Sequence, residues 1–245
     1  MESMLLLYII LQHPKRIFLW NHPAFFWQIQ EDIIKRELLI LPVLLSWDRL
    51  LRKRKKYFTA VLRGTLNLGA ARFLHGCTGV NLDILARQPL WEMGEDFKHG
   101  TGHGVGYLLN VHEGPNSFRW KIVPGGNAVL EEGMITSDEP GYYREDGFGI
   151  RHENLMVCKK AEKTEYGQFM CFEFLTMVPF DLDGVVPELM SVRERNLLND
   201  YHAQVYEKIS PYLNEEEKRM AERCSPGQSD KNKKTFYKIK KKEQP

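Results

Sequence analysis

The chain has 245 residues, 43% hydrophobic and 27% charged, a composition ordinary for a globular protein and long enough for one sizeable core or two small ones. The formal charge is +2, and much of the excess lies in the Lys-rich stretch Lys231 to Lys242. The body is therefore close to neutral. Cys77, Cys158, Cys171 and Cys224 are scattered without a CxxC pair. That excludes a dense disulfide framework and suits reduced thiols, with a cytoplasmic location expected.

In chain order, Met4 to Leu11 is a short apolar run without a basic segment before it or a small-residue cleavage site after it, and Leu38 to Leu45 is broken by Pro42. Neither reaches the roughly 20 residues that span a bilayer, so no membrane role is expected. Residues 1–56 contain no Gly and end in the basic run Arg52-Lys53-Arg54-Lys55-Lys56. From Tyr57 the spacing turns helical, with Val61, Leu62, Leu66 and Leu68 to Phe73 forming one apolar face. Gly76 and Gly79 follow, and a second helix fits Leu82 to Trp91. From His99 to Pro179, Gly and short apolar runs such as Gly149-Ile150 and Leu155-Met156-Val157 predict strands joined by tight turns. Helices followed by strands predict an α+β domain. A last helix from Val192 carries Leu197, Leu198, Tyr201, Val205 and Ile209 at helical spacing. Beyond Ser225 the composition offers little to bury, so residues 225–245 are expected to be a solvated, disordered tail with no nucleic-acid role.

The residues with chemical potential lie between His99 and Glu153. His99-Gly-Thr-Gly-His103-Gly-Val-Gly106 alternates Gly with larger residues, which permits sharp turns and close backbone approach and presents two imidazoles. It is not a dinucleotide loop, because Val105 falls where GxGxxG requires Gly, and His112-Glu113 is not followed by the second His of HExxH. Glu139 precedes Pro140, which favours an extended backbone, and Gly141 lets the chain turn away. In Gly149-Ile-Arg151-His-Glu153-Asn154, strand alternation places Arg151 and Glu153 on one face and Ile150 and His152 on the other. One imidazole with two carboxylates is a partial shell for Mn²⁺, Co²⁺ or Zn²⁺. Glu131, Glu132 and Glu145 read as surface ion-pair partners.

Four segments taken together, His99 to Gly106, Asn110-Val-His112-Glu-Gly-Pro115, Asp138-Glu139-Pro-Gly-Tyr-Tyr143 and Gly149 to Asn154, resemble the Xaa-Pro aminopeptidases (aminopeptidase P) of the pita-bread metallopeptidase family. Asn81-Leu-Asp83, Pro89-Leu-Trp91 and Leu175-Thr-Met-Val-Pro179 extend the likeness, which runs from about Tyr57 to Cys224. The resemblance implies a pita-bread (creatinase/aminopeptidase-like) catalytic domain over residues 57–224, incomplete at its N-terminal half. It implies metal ligation by His103, Glu139 and Glu153, with Glu153 bridging two ions, most commonly Mn²⁺ in the intact family site. His112 is implied to bind the scissile amide and assist proton transfer, His99 to line the substrate pocket, and Arg151 to support Glu153. The implied reaction releases the N-terminal residue from peptides with proline at position two, and the intact protein is expected to be a homodimer.

The family's first two ligands are Asp residues in a strand reading approximately DSGxxYxxGTTDxTR, which is absent here. Read one base out of phase, the codon junctions from Gln28-Ile29 to Lys55-Lys56 permit DSGGHYKEGTTDITRTFVLGPVTEEEKK, and both Asp positions fall at the spacing the family requires. Residues 1–56 are therefore expected to be a frameshifted, non-homologous and poorly ordered segment. With two of five ligands lost, the chain is expected to hold one ion weakly at best and to show little or no peptidase activity. The family's usual N-terminal domains are not found in this sequence. The alternative is a non-catalytic pita-bread module that binds peptides or proteins.

Overall fold

The computed structural model describes residues 52–218 apart from 108–109, 123, 125–126, 146–147 and 216. The expectations for residues 1–51, for Cys224 and for the tail at 225–245 lie outside the described residues.

Helix α1 spans Arg52–Gly69 and is followed by strand β1, Arg72–Leu74. Both ends of α1 differ from the sequence reading. The helix already includes Arg52 to Lys56, where Lys and Arg are good helix formers, the Lys55 carbonyl accepts the Thr59 hydroxyl at 2.8 Å, and the Arg54 guanidinium lies over the Phe148 ring at 5.4 Å. The helix also stops at Gly69, so Phe73 belongs to a strand; β1 pairs antiparallel with β8, Gly167–Phe174, in the register Arg72 to Cys171. Helix α2, Gly79–Trp91, begins three residues before Leu82 and is capped by Thr78, whose N–H and hydroxyl both donate to the Asn81 side-chain oxygen.

Next come short strands β2 (Gly102–His103), β3 (Ser117–Phe118), β4 (Ile135–Asp138), β5 (Gly141–Tyr143) and β6 (Gly149–Arg151), then the long hairpin of β7 (Asn154–Thr164) and β8. The main sheet has the order β1-β8-β7-β4, entirely antiparallel, while β2 pairs with β3 and β5 with β6. Asn154, Met156 and Cys158 alternate inward along β7, as expected of a strand with one covered face. Met156, Cys158 and Met170 pack with Leu68, Leu82, Ala86, Phe118 and Leu130 from the helix layer and its loops.

A second core joins Phe58, Val61, Leu62 and Leu66 of α1 to Leu198, Tyr201 and Val205 of helix α3, Val192–Ile209, through Met177, Phe180 and Val185. The helices of α1 and α2 approach closely because Gly64 has no side chain: a Cβ there would collide with the Ala86 carbonyl. Helix α3 carries a reciprocal cap between Ser191 and Glu194, and Glu194 also accepts from Arg63 and Asn67 of α1. Helices followed by strands give the α+β arrangement, and no helix among the described residues is long and apolar enough to cross a membrane.

Candidate metal and substrate site

The Gly-rich segment after α2 forms β2, and its glycines are there because backbone passes on both sides. A Cβ on Gly102 would collide with the Ser137 carbonyl of β4, and one on Gly104 with the Glu113 carbonyl and the Asn116 side chain. The Gly104 N–H donates to the Asn116 carbonyl at 2.8 Å, the Glu113 N–H donates back to the Gly104 carbonyl at 2.9 Å, and the His103 N–H donates to Ser137 Oγ at 3.0 Å. Buried Asn116 pins the loop further through its amide, which donates to the Ile135 carbonyl at 2.9 Å and to Thr136 Oγ1. This lattice delivers His103 beside the end of β4 and brings the exposed His112 ring to 4.2 Å from the His103 ring.

Glu139 leaves β4 with its N–H bound to the Thr101 carbonyl at 2.7 Å. Its Oε1 accepts from Ser137 Oγ at 2.9 Å and lies 3.1 Å from His103 Nε2, and its Oε2 accepts from Arg151 Nη2. Arg151 Nε stands 3.7 Å from Glu153 Oε2, so the guanidinium lies between two carboxylates that are both largely buried. Alternation does place Arg151 and Glu153 together, while Ile150 and His152 point into the core. His152 Nε2 donates to the Phe58 carbonyl at 3.3 Å, its ring is wedged edge-on against Phe58 and Phe180, and burial lowers its pKa to about 4. His152 is therefore a neutral core residue.

Burial resists charge throughout the site, and the partners decide where charge is kept. Glu153 is pushed up to about 7 by burial, reinforced by the nearby Glu139 charge. Burial acts the same way on Glu139, but His103 and Arg151 outweigh it and hold that carboxyl below its ordinary range. Burial disfavours the His103 imidazolium, yet the bonds to Glu139 and the Gly104 carbonyl raise its pKa overall. The tautomer follows from that carbonyl. His103 Nδ1–H donates to Gly104 at 3.0 Å, which leaves Nε2 as the nitrogen that meets Glu139 or, when deprotonated, binds a metal ion.

His99 is arranged similarly: Nδ1–H donates to the Gly100 carbonyl at 2.7 Å, and the buried Nε2 has no partner. Its ring touches Phe97 and Tyr143, at 4.8 and 5.3 Å between centroids, and burial depresses its pKa. Asp138 is fully enclosed with neither carboxylate oxygen bonded, and burial, then the charges of Glu139, Glu153 and Asp83, raise its pKa well above the ordinary value.

The structure thus gathers His103, His112, Glu139, Arg151 and Glu153, with His99 alongside Tyr143. Among the described residues no three of His, Cys, Asp or Glu converge as a finished metal cage; Arg151 occupies the position between the two glutamates. The donor chemistry nevertheless fits a divalent ion of the Mn²⁺, Co²⁺ or Zn²⁺ kind, because one imidazole nitrogen and two buried, mutually repelling carboxylates favour a cation between them. Sequence reasoning missed Arg87, Thr101, Asn116 and Ser137, which hold these residues in place. The available signal was Asp83 and Arg87 at i and i+4 on the inward face of α2, a pair that a buried ion-pair search would find.

The model for metallopeptidase family M24 matches residues 48–160, and that for the C-terminal region of peptidase M24 matches residues 168–226. A probable Xaa-Pro aminopeptidase P of Arthroderma otae is 44% identical over 171 residues, which cover 67% of this chain and 27% of that one. Aminopeptidase P2 of Arabidopsis thaliana is 46% identical over 164 residues, 66% of this chain and 23% of that one. The chain therefore spans about a quarter of the length of these relatives. The crystal structure of X-prolyl aminopeptidase from Caenorhabditis elegans, described as a cytosolic enzyme with a di-nuclear active site, superimposes with a TM-score of 0.64 at 36% identity. The match covers 71% of this chain and 28% of that one.

Proposed function

We propose that this chain, which belongs to metallopeptidase family M24, carries part of an Xaa-Pro aminopeptidase centre, with His103, Glu139 and Glu153 as the metal ligands retained in it. The observation that carries this reading is the contact chain His103 to Glu139 to Arg151 to Glu153, which sets one imidazole and two buried carboxylates around a single cationic side chain. A bound divalent ion supplies Lewis-acid polarisation of the scissile carbonyl and lowers the pKa of water. His103 keeps Nε2 available because Nδ1 is committed to Gly104. Arg151 orients Glu139 and Glu153 and offsets their repulsion. His112, exposed beside His103, is the proton donor and acceptor toward the substrate amide, and His99 lines the substrate pocket. The substrates are peptides with proline at position two. Residues 57–224 form the pita-bread portion of the chain, and the complete protein is a cytoplasmic homodimer.

The family's two Asp ligands have no counterpart at Ile29, Leu39 or Ile40, so the chain binds one ion weakly and hydrolyses little. Calorimetric titration with Mn²⁺ together with an Xaa-Pro peptide cleavage assay tests this. One weakly bound ion per chain, lost in Glu139→Gln, with cleavage at background is expected. Equal Mn²⁺ binding by the parent and Glu139→Gln would refute the ligand assignment, and robust cleavage would refute the impairment.

A further inference from the structure

We infer that Arg87, acting with Asp83, is a positioning residue that sets both His103 and Glu139; this rests on the reading of those two residues as metal ligands. Arg87 lies on α2, its side chain 1% exposed. Its Nε donates to Asp83 Oδ2 at 2.6 Å, Nη1 donates to Asp96 Oδ1 at 2.8 Å and the Phe97 carbonyl at 2.7 Å, and Nη2 donates to the His99 carbonyl at 2.8 Å. The guanidinium carbon stands 3.9 Å above the Phe97 ring, which in turn contacts the His99 ring. Asp83 uses its second oxygen to accept Thr101 Oγ1–H at 2.6 Å. One buried carboxylate and guanidinium pair therefore fixes residues 96, 97, 99 and 101, the approach to β2.

Thr101 carries the clamp to both ligands. Its carbonyl accepts the Glu139 N–H at 2.7 Å, its N–H donates to the Phe118 carbonyl at 2.9 Å, and His103 follows two residues later. Stability alone does not account for the arrangement, since a buried ion pair is commonly no better than a well-packed apolar pair. The planar fork is what the geometry uses: four bonds in three directions, which the single ammonium of Lys cannot reproduce. A residue placed this way acts on metal affinity through ligand orientation, and such outer groups typically change it about 10–100-fold.

The test uses the full chain and Co²⁺ as probe, following the visible absorption of the bound ion and the dissociation constant. Arg87→Lys and Thr101→Val are expected to weaken Co²⁺ binding about tenfold or more, whereas Thr101→Ser, which keeps the hydroxyl on Asp83, stays within about twofold of the parent. Co²⁺ binding within about twofold of the parent for both Arg87→Lys and Thr101→Val overturns the proposal; if Arg87→Lys fails to fold, the Thr101 pair decides it. A parent chain that binds no Co²⁺ refutes the ligand assignment, and the clamp is then judged by amide hydrogen exchange. The Thr101 and Glu139 amides are expected to exchange about tenfold faster in Thr101→Val and at the parental rate in Thr101→Ser, with β7 and β8 unchanged. Parental rates in Thr101→Val overturn the clamp.

Discussion

Replacing Glu194 with Ala is expected to remove about 3 kcal/mol of stability. The carboxylate is almost entirely enclosed, with 5% side-chain exposure, and Oε1 accepts from Arg63 Nε at 2.8 Å and from Asn67 Nδ2 at 2.9 Å. Its Oε2 accepts the Ser191 N–H at 2.7 Å, so the same group caps α3 and ties it to α1. Losing one partner of a buried ion pair costs roughly 3–5 kcal/mol. Arg63 keeps 21% exposure and a second contact with Glu92 at 3.6 Å, which places the effect at the low end. For a folded unit of this size, about 3 kcal/mol corresponds to a Tm lowered by roughly 6–12 °C.

The pH dependence has a definite sign. Burial alone would raise the Glu194 pKa, but the Ser191 N–H, Arg63 and Asn67 bring it below the ordinary carboxylate value. A depressed pKa contributes stability that is present above the unfolded value and lost as pH falls through the folded one. Thermal unfolding followed by circular dichroism from pH 7 down to about pH 3 should therefore show the parent and Glu194→Ala converging at acid pH, since the unfolded carboxyl titrates near 4.3. A Tm difference below about 1 °C at pH 7, or one that is constant with pH, would refute the reasoning.

Gly64→Ala places a methyl against the Ala86 carbonyl and forces α1 and α2 apart, so despite the gain in helix propensity it should destabilise by about 1–3 kcal/mol in urea unfolding; an unchanged midpoint would mean that the helices are not in that contact. Mn²⁺ at about 100 times its dissociation constant should stabilise the folded chain by about 2.7 kcal/mol. Chelation should reverse the rise in Tm, and a rise that persists in Glu139→Gln would show that the ion sits elsewhere.

What the sequence made legible was the chemistry that local spacing dictates. Glu139 before Pro140 and Gly141 is held at the strand end, and the alternation from Ile150 to Glu153 sorts core from site, because each depends on backbone geometry within a few residues. Arg87 could not be read as the keystone of the approach to β2, since three of its four acceptors are backbone carbonyls or a residue beyond the helix. Strand β1 was hidden for a related reason. Three residues after a helix carry too little pattern to declare a strand, and its partner Cys171 lies nearly a hundred positions along the chain. The apolar face read from Val61 through Phe73 merged helix and strand because Leu68 at the end of the helix and Phe73 in the strand bury against the same core. The start of α1 was misplaced because apolar spacing begins only at Tyr57, whereas the basic run before it is compatible with a helix whose buried face begins there.

The antiparallel pairing of β4 with β7 has a consequence for how this site comes into being. His103, His112, Glu139, Arg151 and Glu153 all lie between the start of β2 and the start of β7, and none of the contacts among them uses a residue before Tyr57. Loop-closure entropy grows only slowly with length, so bringing these groups together carries a modest entropic cost within this one stretch of chain. Such a half-site is heritable as a block: an upstream lesion in the gene can remove partner ligands without disturbing the register of those that stay.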